Sequence, residues 1–552
     1  MSSSESKVGM MTSVKSWVLD ACAAVLKLLR GPTGWAVVLA VYGACALRNL
    51  ELPGLYMDAI NPDYLVARWL HPALDNPVWV LPGPKLPILG NLYHGTETLW
   101  LGLLTYSVLG TTVASARITH ALFGAIIVLF VWLILRKITR HPLLALAVSV
   151  GLATDMAFLG SFRTQAYIIL AGQMWMMGAI YLGIRSTQNQ DNVLRSVLLC
   201  GISMGLAVYG YFVFLFFLPP VAALAICGAG RGGVVSRAKA WVLGFTIGML
   251  PYIVGYLGLV YAARGFGPFI GWLQTALTGL KPTGASPSYL AGLSSVLANT
   301  QLGLSGIGNE MMMTDKAISI NEAVIKPIML AGSIAVCLTG VWCEWRRNPS
   351  LARVLLAIAL LPVSYVLLAA GFGARLWAHH FTTLVSVSYL LLGVALYWLS
   401  TQLGNGKWIR LCCTALVALL VATNIIQQNR VHMELVRTGG AGMSSDALTV
   451  MSRSALEEKD TAVWYFPEWG FYMPFAFLTG NQVAYETDLT TKSLRKHRGQ
   501  KNGVHVAFWK DSDRAQYIKV LQENGVTDIR SDTLNRRDGQ PALYVLTGHQ
   551  SQ

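Results

Sequence analysis

Between residues 50 and 98 the chain places Asp58, Asp63, His94 and Glu97 in one polar stretch, with Arg48 at its entrance and apolar segments on both sides. Carboxylates and imidazoles are expensive at a membrane face unless they do chemistry or hold charge. A carboxylate there can take a proton from an acceptor hydroxyl. Asp58 follows the first apolar segment closely and has no local structural duty. Asp63 has one. The spacing predicts a helix over 61–70, with Asn61 as N-cap and Pro62 at the first helical position. Asp63 would then pair with the helix dipole. Leu65, Val66, Trp69 and Leu70 make one apolar stripe, as in a helix lying on a bilayer. Further on, Tyr93, His94 and Glu97 precede a second amphipathic stretch. They are candidates for binding an acceptor, and His94 with Glu97 for a divalent metal ion, although two ligands make an incomplete site.

These groups need a scaffold, and the composition supplies one. Of 552 residues 54% are hydrophobic and only 12% charged, about half the charged share of a soluble domain. This is a polytopic α-helical membrane protein. Eleven apolar segments are predicted, near 33–49, 117–135, 142–160, 166–184, 193–209, 211–228, 240–262, 326–344, 352–371, 379–398 and 408–427. Residues 1–32 read as a cytoplasmic amphipathic N-terminus, with no cleavable signal and the first span as an anchor. The basic loops RKITRH at 136–141, GRGGVVSRAK at 230–239 and EWRRNPSLAR at 344–353 then share the cytoplasmic side. The net charge of +15 is accounted for by these loops, without nucleic acid. The opposite side receives 50–116, the turn near Ser161, 263–325, the turn near Arg375 and the C-terminal part. Residues 33–428 are expected to form the transmembrane catalytic domain.

From 429 to 552 the chain turns polar. Runs at Thr461–Phe466, Gln482–Tyr485, Val504–Trp509, Thr527–Arg530 and Ala542–Leu546 read as strands, and Ser512–Asn524 as a helix closed by Gly525. A small α/β domain outside the membrane is expected. It has no glycine-rich phosphate loop. All eight cysteines lie in or beside apolar segments without C-x-x-C spacing, which predicts neither disulfides nor a zinc site.

Three segments carry a resemblance. TTVASARITHALFGAIIVLFVWLILRK contains Ala116-Arg117-Ile118 through Gly124, leading into a span. DMAFLGSFRTQAYIILAGQMW occupies 155–175, and GFGARLWAHHFTTLVSVSYLLLG occupies 371–393. With an acidic residue after the first span, this order resembles the GT-C glycosyltransferases, in particular the protein O-mannosyltransferases and the lipid A aminoarabinose transferase. The resemblance covers about residues 33–430. It implies a polyprenyl-phosphate sugar as donor, a lipid, glycan or protein as acceptor, and transfer at the periplasmic face of an inner membrane. The donor phosphate needs cations there. Arg163, Arg375, His379 and His380 sit at external span edges, with Arg264 and Lys281 as further candidates. Asp155 would pair with Arg163 or help bind the acceptor. The family's acid is commonly followed by Glu, or by Tyr four residues on. Here Ala59 follows Asp58 and Tyr64 comes six residues later, so Asp58 and Asp63 both stay open as base. An O-antigen polymerase or ligase, with the 263–325 loop as its large external loop, and a lipid-linked sugar transporter or flippase are the rival readings. The near absence of charge in the middle of the spans speaks against transport.

Overall fold

The structure, a computed structural model, describes residues 33–78, 81, 87–139, 141–188, 192–228, 233–279, 288–404 and 406–550. The expected N-terminal amphipathic segment at 1–32 and Lys281 lie outside the described residues. The first helix is α1 (Gly34–Ala46). A short helix α2 (Leu65–Leu70), a hairpin of β1 (Leu89–Asn91) and β2 (His94–Gly95), and α3 (Glu97–Leu109) make up the first external stretch. The membrane bundle continues with α4 (Val113–Thr139), α5 (Pro142–Ala153), α6 (Met156–Ser161), α7 (Leu170–Gln188), α8 (Val193–Gly210), α9 (Leu218–Ile226), α10 (Val234–Gly248) and α11 (Leu250–Ala262). Next come α12 (Phe266–Gly279), α13 (Tyr289–Ser305) and α14 (Ile307–Thr314), then α15 (Glu322–Glu344), α16 (Pro349–Ala370), α17 (Thr383–Gln402) and α18 (Lys407–Thr438).

Each of the eleven predicted apolar segments falls on a helix of this bundle. Among the described residues seven helical stretches are long and apolar enough to cross a membrane. An eighth span forms if α10 and α11, bent by 48°, count as one. The helices over 34–46, 142–153 and 212–226 are shorter. The stretch 263–325 is largely helical rather than an open loop. Phe266, Tyr289, Leu290 and Leu297 are exposed on it, as expected of helices lying against lipid.

The C-terminal part holds a five-stranded mixed sheet, order β4-β3-β5-β7-β6, built from β3 (Ala462–Tyr465), β4 (Ala484–Glu486), β5 (Gly503–Phe508), β6 (Val526–Asn535) and β7 (Pro541–Gln550). β3 runs parallel to β4 and β5, and β7 antiparallel to β5 and β6. All five predicted strands are present. The predicted helix is Arg514–Glu523, and Gly525 adopts φ +78°, the left-handed turn that favours glycine. Three helices escape the sequence reading: α19 (Ala447–Glu457), α20 (Tyr472–Leu478) and one over Thr491–His497. α18 also runs ten residues past the expected boundary at 428.

This part is not a separate appendage. Leu55, Met57, Ile60, Tyr64 and Leu99 of the first external stretch share one hydrophobic core with Leu448, Trp464, Phe471, Phe475 and Tyr485. Asn76 donates to Asn481 Oδ1 and to the Val483 carbonyl, both at 2.9 Å, and accepts from the Tyr485 amide at 3.1 Å. The Tyr485 hydroxyl donates to the Pro77 carbonyl at 2.7 Å. One continuous core fixes both segments on the same side of the membrane.

Candidate active site

The loop that follows α1 is held from below by two arginines. Arg163 is 2% exposed. Its guanidinium donates to the carbonyls of Ala46 (3.1 Å), Asn49 (3.1 Å) and Leu52 (2.7 Å), and also to that of Arg48. The carbonyls at the end of α1 lack helical partners and carry the negative end of its dipole, so a buried cation suits them. Arg117, fully buried on α4, donates to the carbonyls of Phe162 (3.0 Å), Pro53 and Gly54 (both 3.4 Å). Gly54 passes close to the C-terminal part: a Cβ there would lie 2.3 Å from the Ser445 carbonyl oxygen. The assignment of Arg163 to a donor phosphate is therefore corrected. Its donors are spent on backbone.

Asp63 also needs correction. The helix begins at Leu65, not at 61, and the Asn61–Pro62 bond is cis. Asp63 is fully buried and accepts hydrogen bonds from Thr98 Oγ1 (2.7 Å), the Tyr106 hydroxyl (2.8 Å) and His120 Nε2 (3.1 Å). His120 stacks on Tyr167 with ring centroids 3.9 Å apart. Asp63 ties the first loop to α3 and α4 and faces no open space.

Asp155 does not meet Arg163 either. It caps α6 by accepting from the Ala157 amide (2.8 Å). Its other oxygen accepts from Lys326 Nζ (2.6 Å) and the Tyr389 hydroxyl (2.7 Å). Both ends of the ion pair are buried. Asn424 of α18 donates to the same Tyr389 hydroxyl at 2.8 Å. This network joins α6, α15, α17 and α18 and leaves Asp155 no oxygen for an acceptor.

Asp58 is different. It lies half-buried in a 3₁₀ turn over Met57–Ala59. Burial pushes its carboxyl up to about 6, against a hydrogen bond from Tyr56 that pulls the other way. Its charge reaches Tyr93, Tyr211 and Tyr472. These tyrosines come from the hairpin, the break after α8 and the start of α20. His94 stacks on Tyr211 (5.8 Å, 9°), and Tyr93 lies 5.5 Å from the same ring. The Tyr211 hydroxyl shares a 2.9 Å hydrogen bond with His380 Nε2. Gln165 Nε2 donates to His379 Nδ1 at 2.7 Å, and the two histidine rings lie 3.9 Å apart.

Burial governs His94 and Glu97, the pair expected as metal ligands. Burial lowers the imidazole of His94 to about 4, and its Nδ1 bonds the Gly95 carbonyl at 2.9 Å. Burial raises the Glu97 carboxyl to about 8, with Trp175 as its hydrogen-bond partner. Its Oε2 has no partner, and a Cβ on Gly210 would lie 2.6 Å from it. Among the described residues no three His, Cys, Asp or Glu side chains gather to hold a metal ion. Arg375 is exposed at the turn before α17, and Arg264, at φ +61°, is exposed between α11 and α12. Neither makes an ion pair among the described residues.

Tyr211 and Tyr472, on which the charge of Asp58 acts, are not singled out by the sequence reading. The signal for Tyr211 was present in Tyr209-Gly210-Tyr211, which interrupts an apolar run. The backbone there is extended, at φ −160°, between helices. Tyr472 reaches the face only through the C-terminal core, which no local pattern predicts.

A helical membrane bundle, an amphipathic external stretch after the first apolar helix and a C-terminal mixed sheet against it define a multi-pass membrane architecture. Residues 94–256 match the family model Dolichyl-phosphate-mannose-protein mannosyltransferase. The chain is similar to the crystal structure of ArnT from Cupriavidus metallidurans bound to undecaprenyl phosphate, with TM-score 0.58 at 12% identity over 94% of this chain and 98% of that one. The apo state of the same protein matches with TM-score 0.56 at 11% identity over 93% and 98%. Among curated proteins no sequence matches the chain. The resemblance to GT-C glycosyltransferases is shown by the family match together with the shared fold.

Proposed function

We propose that the protein is a glycosyltransferase that moves a sugar from a polyprenyl-phosphate donor to an acceptor on the face bearing Asp58. The observation that carries this reading is the contrast between the two early carboxylates. Asp63 is enclosed by three donors, whereas Asp58 is only half-buried, accepts from Tyr56, and its charge acts on tyrosines from three separate parts of the chain. Aromatic faces suit the apolar faces of sugars and the isoprenoid tail. A carboxyl held near 6 is ionised at neutral pH, yet basic enough to share a proton in the transition state.

In the reaction Asp58 takes the proton of an acceptor hydroxyl. That oxygen bonds the anomeric carbon, the bond from that carbon to the phosphate oxygen breaks, and polyprenyl phosphate leaves with the electron pair. A single displacement inverts the anomeric centre. Arg375 is the cation proposed for the departing phosphate, with Arg264 as a further candidate; His379, whose Nδ1 accepts from Gln165, would offer it the N–H of a neutral ring. His380 holds Tyr211 and the Trp377 backbone instead. A bacterial inner membrane with the face toward the periplasm fits the distribution of basic loops. The ArnT structure was solved with undecaprenyl phosphate, which supports a lipid-phosphate leaving group here. Radiolabelled polyprenyl-phosphate sugars, incubated with purified protein and membrane extract, test the proposal. Label is expected to move to an acceptor, and no transfer with any donor in the panel overturns it.

A further inference from the structure

Arg117 and Arg163 are buried guanidiniums whose hydrogen bonds go to carbonyls alone. Among the described residues neither forms an ion pair. Buried cations without counter-charge are costly, and backbone dipoles offset only part of that cost. Next to Arg163, where α1 ends, lies a cavity of about 260 Å³ lined by Arg48, Asn49, His432, Met433, Val436 and Arg437. None of Asp58, Tyr93, His94, Tyr211 or His380 lines it.

The charges facing this cavity are unevenly matched. Arg437 is paired with Glu434 and Asp538, and Glu434 is shared with Lys316. Arg48 is exposed, and among the described residues it donates to the side-chain oxygen of Asn429 and forms no ion pair. Both Arg48 and Arg163 act electrostatically on His432. Glu51, the nearest carboxylate in sequence, is turned toward Arg453 at 3.6 Å. The cavity is therefore net positive. Its membrane side is apolar. α1 and α18 both pack on α5, and below the cavity Val37 and Leu47 of the first span, and Leu419, Ile425 and Ile426 of α18, are exposed. The apolar run of α18 gives way to Gln427, Gln428, Asn429 and Arg430, which marks headgroup depth.

We infer that this cavity binds the phosphate headgroup of one anionic bilayer phospholipid, its acyl chains lying along α1 and α18. Arg48 and the Asn49 amide contact the phosphate, and the lipid supplies the counter-charge that the arginines beneath lack. This site is separate from sugar transfer and stands whatever the donor proves to be.

The test is native mass spectrometry of the full chain in detergent, titrated with phosphatidylglycerol or phosphatidylcholine. Wild type is expected to retain one phosphatidylglycerol and no phosphatidylcholine. Arg48→Gln should weaken retention about tenfold, the loss expected when one charge-assisted hydrogen bond goes. Met433→Glu alters an exposed position and puts a carboxylate beside the phosphate, so it should weaken retention without disturbing the fold. Equal retention of both lipids, or undiminished phosphatidylglycerol binding in both variants, overturns the proposal. So does displacement of the lipid by inorganic phosphate, which would mark a site for a soluble anion.

Discussion

Asp58→Asn separates the chemistry of this carboxylate from its cost to the fold. Burial raises the Asp58 carboxyl from the ordinary 3.8 to about 6. The folded value lies above the unfolded one, so the fold favours the protonated form. Its contribution is fully present below pH 3.8 and is lost as pH rises toward 6. At pH 7 the ionised group then costs at most about 3 kcal/mol, at 1.36 kcal/mol for each tenfold step in acidity. Asparagine keeps the shape and removes the charge. The variant is expected to melt at or above the wild-type temperature while sugar transfer falls at least about a hundredfold, the low end for a lost general base. In wild type, kcat/KM is expected to fall as pH drops below about 6, where Asp58 takes up its proton. Thermal melts and initial rates from pH 4.5 to 8.5 measure both effects, a range set by the ordinary and raised carboxyl values. Three results would refute the reasoning: transfer unchanged in the variant, a rate profile flat through pH 6, or loss of transfer together with a lower melting temperature.

Asp63→Ala is expected to lower stability by about 3–5 kcal/mol by stranding the buried His120, with Tyr106 and Thr98, measured by denaturant unfolding in detergent. Lys326→Met should cost about as much by leaving Asp155 uncompensated, and adding Asp155→Asn should restore most of the loss in thermal melts. Glu97 has a raised carboxyl near 8, so its stabilising protonated form is lost as pH rises from 4.5 through 8. Glu97→Gln should leave the melting temperature unchanged near pH 4, below the ordinary carboxyl value, raise it at pH 6, and raise it further at pH 9. Reporters fused after Thr139 and after Gln550 should sit on opposite sides of the membrane.

Periodic features were legible from the residues. Apolar runs mark the helices because lipid tolerates little else, and the alternation around Val504–Trp509 marks a strand. Asp58 stands out by elimination, as an acid beside a span with no cap or dipole to serve, and its role as base is what the Asn variant tests. What local patterns could not give were partners distant in sequence. Arg163 looked like a phosphate ligand because a cation at a span edge is normally solvated. Nothing near residue 163 reveals that carbonyls at 46–52 take its donors. Asp63 looked like a helix-dipole partner because Asn-Pro-Asp suits a helix start. The donors from Thr98, Tyr106 and His120 lie 35 to 57 residues away. Tyr472 lies 414 positions after Asp58 by residue number and comes near it through a core that exists only in three dimensions.

That core also sets an order of events during synthesis. The first external stretch emerges early, when Leu55, Ile60, Tyr64 and Leu99 have nothing to pack against. Phe471, Phe475 and Tyr485 follow only after every membrane helix has been inserted. Until then a hydrophobic surface waits uncovered at the membrane face. A ribosome stalled before residue 470 would leave a chain that has every apolar helix and only half of this core.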